Sequence, residues 1–291
     1  MKVMVIVKAS KDSEAGKLPS QQLLAAMGKF NEELVRAGVM LDGEGLQPSS
    51  KGVRVAFHGK ERSVINGPFA ETKELVAGFW VWKVKSMAEA IEWLKRCPNP
   101  HDEPCEVEIR PFFSPEDFAP VLTPEILEHE ANVRALAMGL GEVRYEAAGD
   151  LLVAGFNSTY DHESRKNIPV QWTRFAPHLG KVPGQVGNTS YGVCWNYKGD
   201  CDFDYLCGVE VAESAKLPPD FVRVAVPARR YAIVTHVGHI STFPKTMDKV
   251  WAQWIPESGL KTAKAPCFER YTDKFDPKTG EGAVEIWIPL A

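Results

Sequence analysis

The chain has 291 residues, of which 44% are apolar and 25% charged, and its formal net charge is −4. This length is sufficient for two domains with separate cores, and a weakly acidic chain without a basic cluster argues against a nucleic-acid-binding protein. The longest apolar run, Leu75 to Trp82, is too short to span a bilayer, and no secretory signal precedes the first strand-like segment. The sequence therefore predicts a cytoplasmic protein with neither a membrane nor a direct nucleic-acid partner.

The first part of the chain follows the order βα, then strands, then αβ. Residues 2–8 are a strand-like apolar run, and a helical pattern over about 20–37 has apolar residues on one face. Extended segments and a hairpin lead to a central strand at 75–84, a helix that begins with a capping box at Ser86, and a half-buried strand at 106–112. This order is typical of a ferredoxin-like α+β fold. The central strand is apolar on both faces, so it needs cover on both sides, and we expect homodimerisation through this domain.

A helix bracketed by Thr123-Pro124 and Gly139 separates the two parts of the chain. Ile126, Leu127, Val133 and Leu136 form its apolar residues. We interpret 1–118 as the first domain, 119–140 as a helical linker and 141–291 as the second domain.

The second domain contains the same order of elements twice. Each half begins with a long extended stretch, continues with a helix and ends with two strands. The first helix carries Trp172 three residues before Phe175, and the second carries Trp251 three residues before Trp254. The sequence predicts two strand-helix-strand-strand repeats.

The common catalytic and cofactor motifs are absent from the sequence, including the nucleophile elbow, the P-loop, the dinucleotide fingerprint and the zinc-protease helix. Cys97, His101 and Cys105 are evenly spaced, but prolines interrupt this stretch and a fourth zinc ligand is missing. His236 and His239 are a poor metal site alone, and a structural role is favoured. We expect neither a metal nor a cofactor.

Glu269 is the candidate functional residue. In its strand, alternation places Cys267, Glu269 and Tyr271 on one face and Phe268 and Arg270 on the other, so Arg270 cannot neutralise Glu269. A carboxylate on an aromatic, apolar face is costly unless a cation or a hydrogen-bond donor meets it. Such a site suits a flat, lipophilic, often cationic ligand. The alternative is that Glu269 is an exposed strand residue and that the tryptophans form core.

Residues 141–291 resemble the GyrI-like effector-binding domain, which also occurs at the C-termini of multidrug-sensing regulators. The resemblance rests on segments such as YGVCWNY (191–197), WAQWIPESG (251–259), FERY (268–271) and EIWIPL (285–290). It implies two strand-helix-strand-strand units around a cleft whose ligand-binding acid is Glu269. Some members of the family hydrolyse reactive cyclopropane-bearing toxins with that glutamate at the catalytic site. His239 stands where the family often has a proline after the glycine, which is a departure at the edge of the cleft. The candidate ligand-binding rings are Tyr191, Trp195, Trp172, Trp254, Tyr271 and Trp287.

Residues 1–118 resemble the YCII-related, DGPF-type domain. The matching segments are LDGEGLQPS (41–49), NGPFAETKEL (66–75) and VEIRPFFSPEDF (107–118). The resemblance implies a ferredoxin-like fold that pairs as a dimeric α/β barrel. Asn66 replaces the aspartate of the signature, and the early helix lacks the histidine of YCII relatives, which argues against an enzymatic role here. Asp42 and Glu71 are candidate pocket acids, with turn capping and a solvent-facing position as the alternatives.

Three functional hypotheses follow. The first is a protein that binds a hydrophobic, cationic xenobiotic or antibiotic around Glu269. This hypothesis has two forms, binding alone and binding followed by hydrolysis. The second is a non-enzymatic effector sensor or a gyrase-inhibitor-like protein-interaction module. The third makes the N-terminal domain the enzyme and the C-terminal domain its sensor.

Overall fold

The computed structural model describes residues 1–70, 74–118, 120–198 and 202–291. The chain forms two compact units, Met1–Phe113 and Ser114–Ala291. Both combine helices with antiparallel sheets, which confirms the predicted α+β class.

The N-terminal unit has a four-stranded antiparallel sheet in the order β2-β5-β1-β6. The long helices α2 and α3 connect its strands in the ferredoxin-like order, as predicted, and a separate hairpin of β3 and β4 is inserted before β5. The elements of this unit are β1 (Lys2–Lys8), α1 (Lys11–Glu14), α2 (Gln21–Arg36), β2 (Met40–Gly45), β3 (Val53–His58), β4 (Glu61–Asn66), β5 (Val76–Lys83), α3 (Met87–Leu94) and β6 (Val107–Pro111).

One face of this sheet carries the core of the unit. Phe30 and Leu34 of α2 are buried against Trp80 and Trp82 of β5. The opposite face presents Phe79 and Val81, which stay partly exposed. Within one chain, therefore, α2 covers one apolar face of β5 and the other face is only partly buried.

Of the two candidate acids of this unit, the structure describes Asp42. Asp42 is exposed, and its Oδ1 accepts a hydrogen bond of 2.8 Å from the backbone N–H of Gly43. Asp42 lies within β2, beside the register shift between Met40 and Asp42, and its contact is local. Glu71 lies outside the described residues.

In its described residues, the C-terminal unit has an eight-stranded antiparallel sheet in the order β11-β8-β10-β9-β13-β14-β12-β7. The two predicted repeats are β8-α5-β9-β10 and β12-α6-α7-β13-β14, and each has one further strand ahead of it, β7 or β11. The two preceding strands are exchanged, because β7 pairs with β12 and β11 pairs with β8. The strands are β7 (Arg144–Ala148), β8 (Leu151–Tyr160), β9 (Gln185–Lys198), β10 (Asp202–Val211), β11 (Val222–Val226), β12 (Arg229–Val237), β13 (Cys267–Asp276) and β14 (Glu281–Pro289).

The helices α5 (Ile168–Phe175), α6 (Phe243–Lys249) and α7 (Ile255–Ser258) cover one face of this sheet. We call it the helix-covered face. On the other face, a single apolar cluster built from strand residues includes Val224 of β11 and Ile233 of β12. That cluster joins strands from both ends of the sheet, as expected for a sheet curled into a half-barrel. The half-barrel therefore has a strand-lined interior and a helix-covered exterior.

The helix α4 (Pro124–Ala137) falls within the C-terminal unit. Ala131 and Ala135 are fully buried in the same cluster as Trp254, and the Trp254 indole Nε1 donates to the Ala131 carbonyl at 2.8 Å. The predicted apolar residues Ile126 and Val133 are instead about half exposed. Small residues allow the close approach of α4, and an apolar-periodicity pattern underestimates them.

Candidate functional site

Glu269 lies on the helix-covered face of β13, where it is 7% exposed. Its two neighbours across the ladders are Gly192 of β9 and Ile286 of β14. Arg270 points to the other face and pairs with Glu285 at 3.4 Å. The alternation predicted for this strand therefore holds from Cys267 to Arg270.

Two phenols converge on one oxygen of this carboxylate. The hydroxyl of Tyr205 donates to Glu269 Oε2 at 2.7 Å, and the hydroxyl of Tyr271 donates to the same atom at 2.8 Å. The indole Nε1 of Trp172 in turn donates to the Tyr205 hydroxyl at 2.8 Å. A chain of hydrogen bonds thus runs from α5 to the carboxylate.

Gly192 provides the space for this arrangement. A Cβ at this position would lie 2.1 Å from the Tyr205 hydroxyl oxygen and 2.5 Å from Glu269 Oε2. A glycine inside a strand weakens it and often marks a close approach. Here the side chains of the neighbouring strands occupy the volume that any other residue would fill.

Burial dominates the electrostatics of the site. It raises the pKa of Glu269 to about 7, although the hydrogen bonds from Tyr205 and Tyr271 act in the opposite direction. Burial and the nearby Glu269 carboxylate also raise the pKa of both phenols well above their usual value. Among the described residues no cation contributes to the environment of Glu269. The site therefore holds an acid that ionises near neutrality without a protein counter-ion.

Two partly exposed rings separate this acid from solvent. The Trp172 and Tyr271 rings meet edge to face, with their centroids 5.0 Å apart. Behind them, the buried Gln171 amide donates to the carbonyls of Phe156 and Tyr205 and accepts from the Tyr160 hydroxyl. Gln171 thus fixes α5, which carries Trp172, to the strands that carry Tyr205.

Three of the candidate rings lie on the face of the sheet opposite to Glu269. Tyr191 lies opposite Arg270, and Trp287 lies opposite Phe268. Trp195 packs with both on the strand-lined interior of the half-barrel. The physical reason is the register, which places Gly192 rather than Tyr191 beside Glu269.

Trp254 lies on the helix-covered face but is fully buried, and its N–H is bound by α4. It contributes core rather than a surface for a ligand at Glu269. Of the predicted ring residues, Trp172 and Tyr271 surround the carboxylate. Sequence reasoning missed Tyr205 and Gly192, although the glycine within the YGVCWNY strand was a usable signal.

The histidine and cysteine candidates have separate local partners. His236 contacts the Thr246 hydroxyl at 2.9 Å, and the His239 ring caps the backbone N–H of Ser241. The thiol of Cys105 donates to the Asn99 side chain, and His101 contacts the Lys8 carbonyl. Within the described ranges, no group of three or more such side chains is arranged to hold a metal.

Comparisons with known proteins support the two-part organisation. A family model for the YCII-related domain matches residues 1–113, and one for the GyrI-like small molecule binding domain matches residues 142–291. In the part of the chain that the structure describes, no helix is long and apolar enough to cross a membrane.

The chain is 31% identical over 121 residues to the transcriptional regulator BrlR of Pseudomonas aeruginosa, a match that covers 41% of this chain and 44% of the relative. It is 33% identical over 67 residues to a DNA gyrase inhibitor of Erwinia billingiae, which covers 23% and 42%. The matches thus span less than half the length of these curated relatives. A solved structure of SAV2435 bound to tetraphenylphosphonium shares 22% identity with a TM-score of 0.44, covering 52% of this chain and 94% of that one.

The GyrI-like match covers the whole half-barrel, with Glu269 on its central strand β13. Residues 1–113 form the ferredoxin-like unit that carries the YCII-related match. The chain therefore belongs to the GyrI-like small-molecule-binding family, with a YCII-related domain preceding its GyrI-like domain.

Proposed function

We propose that the GyrI-like domain binds a lipophilic organic cation at Glu269. The observation that carries this proposal is a buried carboxylate whose pKa is about 7 and to whose environment the described residues contribute no cation. A buried charge without a partner is unfavourable, and the free energy that raises the pKa becomes available to a ligand that supplies the positive charge.

The surroundings of Glu269 favour an aromatic organic cation over an inorganic ion. Trp172 and Tyr271 present ring surfaces beside the carboxylate, and a cation against an aromatic face gains about 0.5–2 kcal/mol. The acid itself is only 7% exposed, so ligand entry requires the partly exposed Trp172 side chain to move. Because Trp172 binds Tyr205, this movement also changes the hydrogen-bond chain to Glu269.

Titration with tetraphenylphosphonium, a lipophilic cation, tests the proposal. We expect binding to strengthen about tenfold between pH 6 and pH 8, because the ionised fraction of a group with a pKa of about 7 rises by that factor. Glu269→Gln should weaken binding at pH 8 by at least about tenfold. Glu285→Gln, on the other face of the adjacent strand, is the matched control. Equal binding by Glu269→Gln and the parent would show that the cation binds elsewhere.

A second candidate function is hydrolysis of a strained electrophile at the same site. A general base works best when its pKa is near the working pH, and Glu269 meets this condition. Glu269 would deprotonate a water whose oxygen attacks one carbon of an activated cyclopropane. The ring C–C bond breaks, the proton held by Glu269 passes to the carbon that leaves with the electron pair, and the product gains the mass of one water. We expect Glu269→Gln to lower this turnover by a factor of about 10² or more. A binding protein that acts only as an effector sensor would bind the compound and leave its mass unchanged.

The C-terminal unit also offers a surface for the protein-interaction alternative. Ile126, Val133 and Leu136 of α4 are each about half exposed. Ligand capture would then act through another protein that contacts α4. A pull-down from lysate with the parent protein should recover one partner repeatedly, and Val133→Glu should lose it. This result would distinguish the interaction function from ligand binding alone.

We also propose that the N-terminal domain forms a homodimer. Val81 lies opposite Met4, and Phe79 opposite the buried Ile6, on the sheet face away from the core formed with α2. A second copy of the sheet would cover Met4, Phe79 and Val81, which are partly exposed. Light scattering should give a dimer for the full chain, and Val81→Glu should give a monomer. Ile91→Glu, an exposed apolar position on α3, is the control, and a monomeric parent at micromolar concentration contradicts the proposal.

A further inference from the structure

We propose that Cys194 and Cys267 form a redox pair that a peroxide converts into a disulfide across the two central strands of the C-terminal sheet. Cys194 belongs to β9 in the first repeat, and Cys267 belongs to β13 in the second. Both cysteines are reduced in the structure. The cross-link would join the two repeats beside Glu269.

The strand register brings these two cysteines together. Cys194 and Cys267 are directly opposite each other in the antiparallel β9–β13 ladder, so their side chains point to the same face. Opposed residues in such a ladder have Cα atoms about 4.5–5.5 Å apart. Disulfides need about 4.4–6.8 Å between Cα atoms, so the backbone already meets the requirement.

A local irregularity adds a third group to the pair. Asn196 has a positive φ of 48°, and the β9–β10 register shifts between Asp202 and Asp204. This bulge interrupts the alternation of β9, and the Tyr197 hydroxyl consequently lies 3.1 Å from the sulfur of Cys267. The interruption explains why Tyr197 does not follow Tyr191 and Trp195 onto the strand-lined interior.

These contacts make the two thiols unequal. The hydrogen bond from the Cys194 thiol lowers the pKa of Cys267, and the Tyr197 contact acts in the same direction, whereas burial and the nearby Glu269 oppose it. The pKa of Cys194 is raised by the same hydrogen bond and by burial. Burial raises the pKa of Cys97 to about 11 and that of Cys207 to about 12. We assign Cys267 as the nucleophile of the pair because its sulfur lies 3.1 Å from the hydroxyl of the exposed Tyr197, the side from which an oxidant can approach.

The reaction balances with hydrogen peroxide as the oxidant. The Cys267 thiolate attacks one peroxide oxygen, the O–O bond breaks, and the released hydroxide takes a proton to become water. The sulfur of Cys194 then attacks the Cys267 sulfenic acid, the S–O bond breaks, and a second water leaves. Two thiols are oxidised and one peroxide is reduced.

Access favours a small oxidant. Cys194 is 8% exposed and Cys267 is 4% exposed, whereas the adjacent Tyr197 is 53% exposed. A peroxide is close to water in size, and movement of the Tyr197 ring would uncover the Cys267 sulfur. Larger thiol reagents should react slowly with the folded protein for the same reason.

The test is peptide mapping of the folded, full-length protein after peroxide treatment and thiol blocking. Trypsin places Cys194 in the peptide 182–198 and Cys267 in the peptide 265–270, each with a single cysteine. We expect these two peptides to be joined and lighter by two hydrogens than their sum, and reduction should separate them. This measurement uses the unmutated protein, so it does not require any variant to fold.

Variants define the specificity of the reaction. Cys267→Ser should abolish the joined peptide and leave Cys194 as a blockable thiol, whereas Cys105→Ser, at the exposed cysteine, should leave the joined peptide intact. The proposal is overturned if both peptides are recovered only as separately blocked thiols. It is also overturned if either peptide is joined to the tryptic peptide 199–216, which contains Cys201 and Cys207.

Discussion

Gly192 lies directly opposite Glu269 in the β9–β13 ladder, and its missing side chain leaves the space that the carboxylate and the Tyr205 hydroxyl occupy. The position of the Glu269 carboxylate therefore depends on a glycine at position 192, because a Cβ there would exclude the observed geometry. This relationship gives the first prediction.

Gly192→Ala should displace both Glu269 and Tyr205. We expect a loss of about 1–3 kcal/mol in the free energy of unfolding, the usual range for overpacking, together with weaker binding of tetraphenylphosphonium. Gly149→Ala is the control, since a Cβ there meets no atom within 4 Å. Urea unfolding of both variants measures the difference, and equal stability would contradict the close packing at Gly192.

Glu269→Gln should increase stability at neutral and alkaline pH. The folded-state pKa of Glu269 is raised from 4.5 to about 7, so its stabilising protonated form is fully present below about pH 4.5 and is lost as the pH rises through about 7. The parent therefore loses about 3 kcal/mol relative to the variant between pH 4.5 and pH 8. Unfolding of both proteins across this range gives the difference, and Glu210→Gln on the other face of β10 should show no such rise. A constant difference between Glu269→Gln and the parent would show that the carboxyl is not buried in solution.

Tyr271→Phe should move the pH dependence of cation binding upward. Its hydroxyl donates to Glu269 and lowers the pKa of the carboxyl, so removal of the donor raises that pKa further above 7. We expect affinity for tetraphenylphosphonium to fall several-fold at pH 7 and to recover at pH 9. Tyr191→Phe, on the other face, should leave the profile unchanged. An equal loss at both pH values would instead assign Tyr271 a direct contact with the ligand.

The sequence predicted much of the fold because its signals are local. Period-two alternation was sufficient to separate Glu269 from Arg270, and the order of elements was sufficient for both domains. The surroundings of Glu269 depend on strand register, which alternation within one strand does not determine. A shift of one residue would place Tyr191 beside Glu269, whereas the observed register places Gly192 there and brings in Tyr205.

The packing of α4 could not be predicted from the sequence for a different physical reason. The exposed Ile126, Val133 and Leu136 dominate any measure of hydrophobic periodicity, whereas the buried contacts are made by Ala131 and Ala135. A small side chain contributes little apolar area to a sequence pattern, but it lets a helix backbone approach closely enough to accept the Trp254 indole hydrogen bond.

This packing predicts where the C-terminal unit can be cut. A fragment of residues 114–291 retains α4, whereas a fragment of residues 141–291 loses Ala131 and Ala135 from the core and leaves the buried Trp254 N–H without its acceptor. An unpaired buried donor alone costs about 1–3 kcal/mol, and the exposed apolar surface adds to this cost. We therefore expect 114–291 to unfold cooperatively on heating and 141–291 to melt at a lower temperature or to precipitate. Trp254→Phe in the longer fragment is the control, because it removes the donor while retaining most of the ring contacts. If the two fragments melt at the same temperature, α4 contributes nothing to the stability of the half-barrel.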